Sequence, residues 1–143
     1  DEARLVCIGG PAPGHGDLAH AIIASAAADE RVTLLGGRSR EDVAGAMLEA
    51  DLLVLPSIAE ATPLVLLEAM SRGLPWIASE TCGSAPDLAG GLIVANGRLA
   101  EAISAALADR PWRERTGQAG RERYRAEYSW DAVAPLYLAA LAA

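Results

Sequence analysis

The stretch A-D-L-L-V-L-P-S-I-A-E-A-T-P-L-V-L-L-E-A-M-S-R-G-L-P-W-I-A-S, Ala50 to Ser79, reads as strand, loop, helix and strand in succession. Leu52 to Leu55 is a continuous apolar run, the pattern of a strand buried on both faces. Thr62-Pro63 opens a helix and Gly73 closes it, in keeping with Pro at the first helical position and Gly just past the last. Leu74 to Ser79 is a second apolar run. Two such strands joined through a helix form a parallel βαβ unit, because only a crossover of that length returns the chain in the same direction.

The same alternation continues on both sides. Upstream, Arg4 to Gly9 is a strand running into a glycine turn, Asp17 to Ala28 a helix, and Arg31 to Gly36 another strand. Ser39 followed by Asp42 resembles a capping box before a helix from Arg40 to Ala50. Downstream, a turn-rich stretch, Cys82 to Gly91, leads to a strand at Leu92 to Ala95 and a helix from Arg98 to Ala108, after which the chain is helical to its end. The fold class is therefore α/β, a Rossmann-like, doubly wound parallel sheet. Ligands of such sheets bind beyond the carboxyl ends of the strands, so the loops after Gly9, Gly36, Leu55 and Ser79 are expected to form one rim.

Composition limits the chemistry. The 143 residues carry a formal charge of −7, which argues against a nucleic-acid partner or a general anionic-membrane surface. All twelve basic residues are Arg, so Schiff-base lysines and the lysine of a Walker phosphate loop are excluded. Phosphate must be held by Arg or by backbone N–H groups. Cys7 and Cys82 have no metal-ligand spacing and read as reduced thiols of a cytoplasmic protein. No segment approaches the roughly 20 apolar residues of a membrane span, and Asp1 to Arg4 has no signal-peptide character. The chain starts almost directly with a strand, as though cut from something longer.

The loop and helix after Leu55 carry the most chemistry. The amides of Leu64, Val65 and Leu66 fall in the first helical turn, where N–H groups lack internal partners and the helix dipole is positive, a combination suited to phosphate. Glu60 precedes that turn, and Glu68 lies ~8 Å further along at 1.5 Å per residue. The two carboxylates would bracket a diphosphate and accept hydrogen bonds from hydroxyls on either side. Glu68 is also placed to pair with Arg72 as an ordinary surface acid. It is the single charge among Leu64, Val65, Leu66, Leu67, Ala69 and Met70, which suggests a buried carboxylate in need of a partner. Glu60 taken alone is equally an ordinary loop acid.

These residues resemble the retaining, nucleotide-sugar-dependent glycosyltransferases of group 1 and of the GT-B architecture, whose donor domain carries a Glu-x7-Glu motif. Glu60 and Glu68 have that spacing, and A-D-L-L-V-L-P-S, L-V-L-L-E-A-M-S-R-G-L-P-W-I-A-S, P-D-L-A-G-G-L-I-V and the terminal A-E-Y-S-W-D-A-V-A-P-L-Y match the surroundings. The resemblance implies that Glu60 is the catalytic carboxylate at the donor sugar and that Glu68 binds the ribose. It implies that Thr62 and the amides of Leu64 and Val65 face the diphosphate, that Gly36, Gly37 and Arg38 border the base, and that Gly83 lies in a donor-contacting loop. Arg38 can stack on the base or remain a solvated turn arginine.

The resemblance further implies a donor domain over residues 1–127 and a crossover helix over 128–143, with a first donor-domain strand and an N-terminal acceptor domain preceding Asp1. No cofactor and no metal are expected, since no Asp-x-Asp pair is present. The isolated chain is then expected to be inactive in transfer, and the full enzyme leaves room for peripheral membrane association. The apolar face with Val133, Leu136, Tyr137 and Leu141 can dock on its own domain or self-associate. The sequence departs from the family at Ala61-Thr62-Pro63, where many members have Gly-Phe-Gly, and at Gly83-Ser84-Ala85, where a glycine pair is usual. His15 and His20 read as loop and surface histidines, and the arginines of Arg110 to Tyr128 as a solvated helix offset by acids. Competing readings are a nucleotide-sugar epimerase-like enzyme half and a non-catalytic α/β binding module. A phosphorylase is excluded by the absence of a pyridoxal-phosphate lysine.

Overall fold

Each apolar run bounded by turn residues becomes a parallel strand, and each longer stretch between them a helix. A computed structural model describes residues 3–10 and 16–142. In chain order the elements are β1 (Leu5–Ile8), α1 (Gly16–Ala27), β2 (Val32–Gly36), α2 (Arg40–Glu49), β3 (Leu53–Leu55), α3 (Leu64–Arg72), β4 (Trp76–Ser79), β5 (Gly91–Val94), α4 (Leu99–Ala108), α5 (Arg110–Glu127) and α6 (Trp130–Leu141). The class is α/β with parallel sheets and helices, as the alternation implies. The strands pair in two ladders, β1-β2 and β3-β4-β5, and the chain divides into two compact units, Asp1–Ala46 and Met47–Ala143.

In the first unit β1 and β2 run parallel, Leu5 opposite Val32 and Cys7 opposite Leu34, with a register shift between Cys7 and Ile8. The sequence reading made both strands buried. Leu5 and Val6 are instead 51% and 52% exposed, because a two-stranded ladder has too little surface around it to cover both of its faces. The capping box at α2 forms as expected. The Asp42 amide donates to Ser39 Oγ at 3.1 Å, and the Ser39 hydroxyl and amide donate back to the Asp42 carboxylate at 2.7 and 3.3 Å. Those bonds from Ser39 hold the Asp42 carboxyl below its ordinary range. Asp29 falls to about 2 for a similar reason, since the Arg31 side chain donates to it and the Arg31 amide adds a further bond.

In the second unit β4 is central, and all four of its residues are buried. Helix α3 lays Leu66, Ala69 and Met70 on the core at the i, i+3, i+4 spacing of one helix face. Its end is set by Gly73 at φ 74°, whose N–H donates to Met70 O while Leu74 N–H donates to Ala69 O, the bonding of a Schellman cap. Helix α5 packs so closely here that a Cβ on Gly117 would lie 2.0 Å from the Gly73 carbonyl oxygen. Arg113 was expected in the solvated face of α5. Its guanidinium instead donates to the Ala106 and Leu107 carbonyls at the end of α4, joining the two helices. Helix α6 begins at the Ser129 cap, and Leu136, Tyr137 and Leu141 on its expected apolar face are exposed.

Candidate functional site

The carboxyl ends of β3 and β4 bring together the two loops that sequence reasoning marked within this unit. Glu60 stands exposed in the loop between β3 and α3, and an isolated parallel bridge pairs it with Cys82 in the loop after β4. The Glu60 amide donates to the Thr81 carbonyl at 3.3 Å, and the Ser84 amide donates to the Ala61 carbonyl at 3.3 Å. Gly83 sits under this junction, where a Cβ would lie 2.3 Å from both the Glu60 and Ala61 carbonyl oxygens. Glycine is therefore required by the approach of two backbones, a role the sequence alone did not reveal.

Three hydroxyl residues passed over in the sequence complete the junction. The fully buried Ser79 and its neighbour Thr81 both donate to the Ser57 carbonyl, Thr81 at 2.5 Å. The Ser57 hydroxyl in turn points to Glu60 Oε1 at 3.5 Å, a long contact. Cys82 is a fully buried free thiol that reaches the Leu55 carbonyl at 3.7 Å. The available signal was the placing of small hydroxyl residues at or just beyond the ends of both apolar runs, with Ser57 and Thr81 beyond them and Ser79 as the last residue of the second.

Helix α3 starts at Leu64, one residue after Pro63 and two after Thr62, the two starts that the sequence offers. Pro63 is the N-cap, buried and without a side-chain capping bond, and Leu64 is the first helical residue. Of the candidate phosphate donors, the Leu64 amide is taken by the Thr62 carbonyl and the Leu66 amide by the Pro63 carbonyl, each at 2.9 Å. The Val65 amide has no backbone acceptor among the described residues. Thr62 and Leu64 are exposed at this end of the helix. The open donor and the positive helix end together favour an anion.

Glu68 is exposed, as its reading as a surface acid has it, and not buried as its apolar neighbours suggest. The reason is rotational: two residues beyond Leu66 is about 200° around a helix, so Glu68 faces away from the Leu66, Ala69 and Met70 stripe. Its carboxylate also forms no ion pair with Arg72. The Arg72 guanidinium donates instead to the Glu68 backbone carbonyl at 2.9 Å and to Ser71 Oγ at 3.0 Å. An exposed, unneutralised carboxylate is free to accept hydrogen bonds from ligand hydroxyls.

Gly36, Gly37 and Arg38 belong to the first unit, at the end of β2. The exposed Arg38 donates to the Gly37 carbonyl at 3.1 Å. In the same unit the Gly9 amide donates to the Gly36 carbonyl at 2.9 Å, linking the loops after β1 and β2. His20 is an exposed residue of α1, and His15 lies outside the described residues. Among the described residues no His, Cys, Asp and Glu cluster could hold a metal, and no helix is long and apolar enough to cross a membrane. A groove lined by Asp51, Gly73, Pro75, Arg110, Arg113 and Glu114 lies at the amino ends of β3 and β4. Arg110 is paired there with Glu114 at 2.7 Å and Arg113 with helix carbonyls, so it offers no free cation pair to a ligand.

Residues 1–123 match the family model for glycosyl transferases group 1. Among curated proteins, the alpha-maltose-1-phosphate synthase of Mycobacterium tuberculosis is 33% identical over 117 residues, which are 73% of this chain and 29% of that protein. Among solved structures, the sucrose-phosphate synthase of Thermosynechococcus elongatus superposes with a TM-score of 0.81 at 32% identity, covering 97% of this chain and 39% of that one. Anabaena HepE, solved in complex with UDP and glucose, gives a TM-score of 0.84 over 98% of this chain and 40% of its own, and at 22% identity the likeness is one of fold. The chain thus spans about a third of the length of its curated relative.

Proposed function

The chain belongs to the glycosyl transferases group 1 family, and from that premise we propose that it is the nucleotide-sugar-binding donor domain of a retaining transferase. The observation that carries the proposal is the amino end of α3, where the Val65 amide is open and exposed carboxylates stand on the loop before it and on the helix itself. In this reading the diphosphate rests at Val65, with Leu64 and Thr62 beside it. Glu68 accepts two hydrogen bonds from ribose hydroxyls. Gly83 contributes by allowing its loop to approach Glu60.

Transfer breaks the bond between the anomeric carbon and the diphosphate oxygen, so that positive charge grows on the sugar and the leaving group takes the electron pair. The positive helix end stabilises the departing phosphate, and Glu60 orients the sugar and faces its developing charge. The acceptor hydroxyl forms the new bond, and its proton passes to the leaving phosphate oxygen. The acceptor wall would come from a separate N-terminal domain, with residues 1–127 holding the donor and 128–143 crossing back. The chain by itself would bind donor without transferring it. The charge of −7 disfavours nucleic acid as acceptor.

No metal enters this scheme, because the Val65 amide and the positive end of α3 take the place of a cation at the diphosphate. Calorimetry with UDP-glucose, GDP-mannose and ADP-glucose tests it. One donor is expected to bind equally well with and without EDTA, and to bind about tenfold more weakly to Glu60→Gln, which loses a charge-assisted hydrogen bond. Binding that appears only with added Mg²⁺ would contradict the metal-free scheme, and binding of none of the three would contradict the donor-domain reading.

A further inference from the structure

We propose that Ser79 and Thr81 are positioning residues for Glu60, setting affinity for the sugar end of the donor without touching it. The inference rests on the reading of Glu60 as the sugar-facing carboxylate. The segment from Pro56 to Ala61 has no helix or strand of its own, so its shape must be imposed by what it is tied to. Ser79 and Thr81 both donate to the Ser57 carbonyl, which occupies both lone pairs of that oxygen. Ser79 belongs to the central strand and is fully buried, so the tie leads to the packed centre of the unit. Ser57 is then fixed by its carbonyl while its hydroxyl approaches Glu60 Oε1. On the far side of the carboxylate, the Glu60 amide is held by the Thr81 carbonyl and the Ala61 carbonyl by the Ser84 amide.

The arrangement separates two functions along one ligand. The Val65 amide and Glu68 belong to α3, which the Leu66, Ala69 and Met70 stripe fixes independently of the hydroxyl pair. Loss of the hydroxyls therefore loosens the grip on the sugar and leaves the nucleotide grip in place.

The test is the ratio of dissociation constants for a nucleoside diphosphate and its sugar ester, measured by calorimetry on this chain with UDP and UDP-glucose, GDP and GDP-mannose, and ADP and ADP-glucose. For the donor that binds, the Ser79→Ala, Thr81→Val pair is expected to lose about tenfold in that ratio, the worth of a hydrogen bond to a charged group. Affinity for the bare diphosphate should stay within about twofold. Thr81→Ser, which keeps the donor, should retain the wild-type ratio. Thr81 is exposed, so Thr81→Val alone supplies the measurement if the buried substitution unfolds the protein, and it should lose part of the ratio. An unchanged ratio, or equal losses for diphosphate and sugar ester, would overturn the positioning role. If instead Glu60→Gln leaves the wild-type ratio intact, the reading of Glu60 itself fails, and the inference fails with it.

Discussion

Glu68→Ala is expected to weaken binding of the nucleoside diphosphate about 100-fold, whether or not the sugar is attached. Two hydrogen bonds from ribose hydroxyls to one carboxylate, each worth roughly 1.5 kcal/mol, account for a loss of that size. Burial contributes nothing to the effect, since Glu68 is exposed and its carboxylate is not paired with Arg72. The same exposure means that the substitution should leave thermal stability within about 0.5 kcal/mol of wild type. The combination is diagnostic. A surface acid without a ligand would change neither stability nor affinity, so a Glu68→Ala protein that binds normally in calorimetry would remove the ribose contact from the account.

Gly117→Ala should have the largest effect on stability, and with a sign opposite to the usual one. Replacing Gly by Ala inside an exposed helix ordinarily stabilises by about 1 kcal/mol. At Gly117 the new Cβ would lie 2.0 Å from the Gly73 carbonyl oxygen and 3.0 Å from its carbon, atoms of backbone rather than of a mobile side chain. Gly73 cannot yield easily, because its left-handed conformation and its bonds to Met70 and Ala69 end α3. Helix α5 would have to move off α3, at a cost of about 3 kcal/mol, or roughly 10 °C in melting temperature. Trp76, Trp112 and Trp130 all lie in the second unit, so tryptophan fluorescence follows its unfolding. Gly45→Ala in α2 is the contrasting case: nothing lies within 4 Å of its Cβ position, and that variant should be stabilised when followed by circular dichroism. A Gly117→Ala protein as stable as wild type would contradict the packing of α5 on α3.

What the sequence made legible was mainly local. Strand and helix positions followed from apolar runs and from punctuation such as Gly73 and the Ser39–Asp42 box, because those signals act over a few residues. The burial that the neighbours of Glu68 suggest has an equally local origin. A segment rich in Leu and Val looks apolar all round, yet only the Leu66, Ala69 and Met70 stripe meets the core. The start of α3 was placed too early because Pro63 fits both the cap and the first helical position, and the difference lies in a backbone angle, ψ 85°, that composition does not encode. The hydroxyl junction at Ser57, Ser79 and Thr81 joins residues up to 24 positions apart. Its existence depends on strand register, which places Leu55 beside Ala78 and so brings the two following loops together. The fit of Gly83 beneath Glu60 is of the same kind.

What sits at the amino end of α3 decides the function, and a crystal structure of this chain with the donor selected by calorimetry tests that most directly. A diphosphate oxygen should lie about 3 Å from the Val65 nitrogen, with ribose hydroxyls on Glu68 and sugar hydroxyls on Glu60. A donor bound elsewhere, with the Val65 amide and both carboxylates facing only water, would contradict this placement.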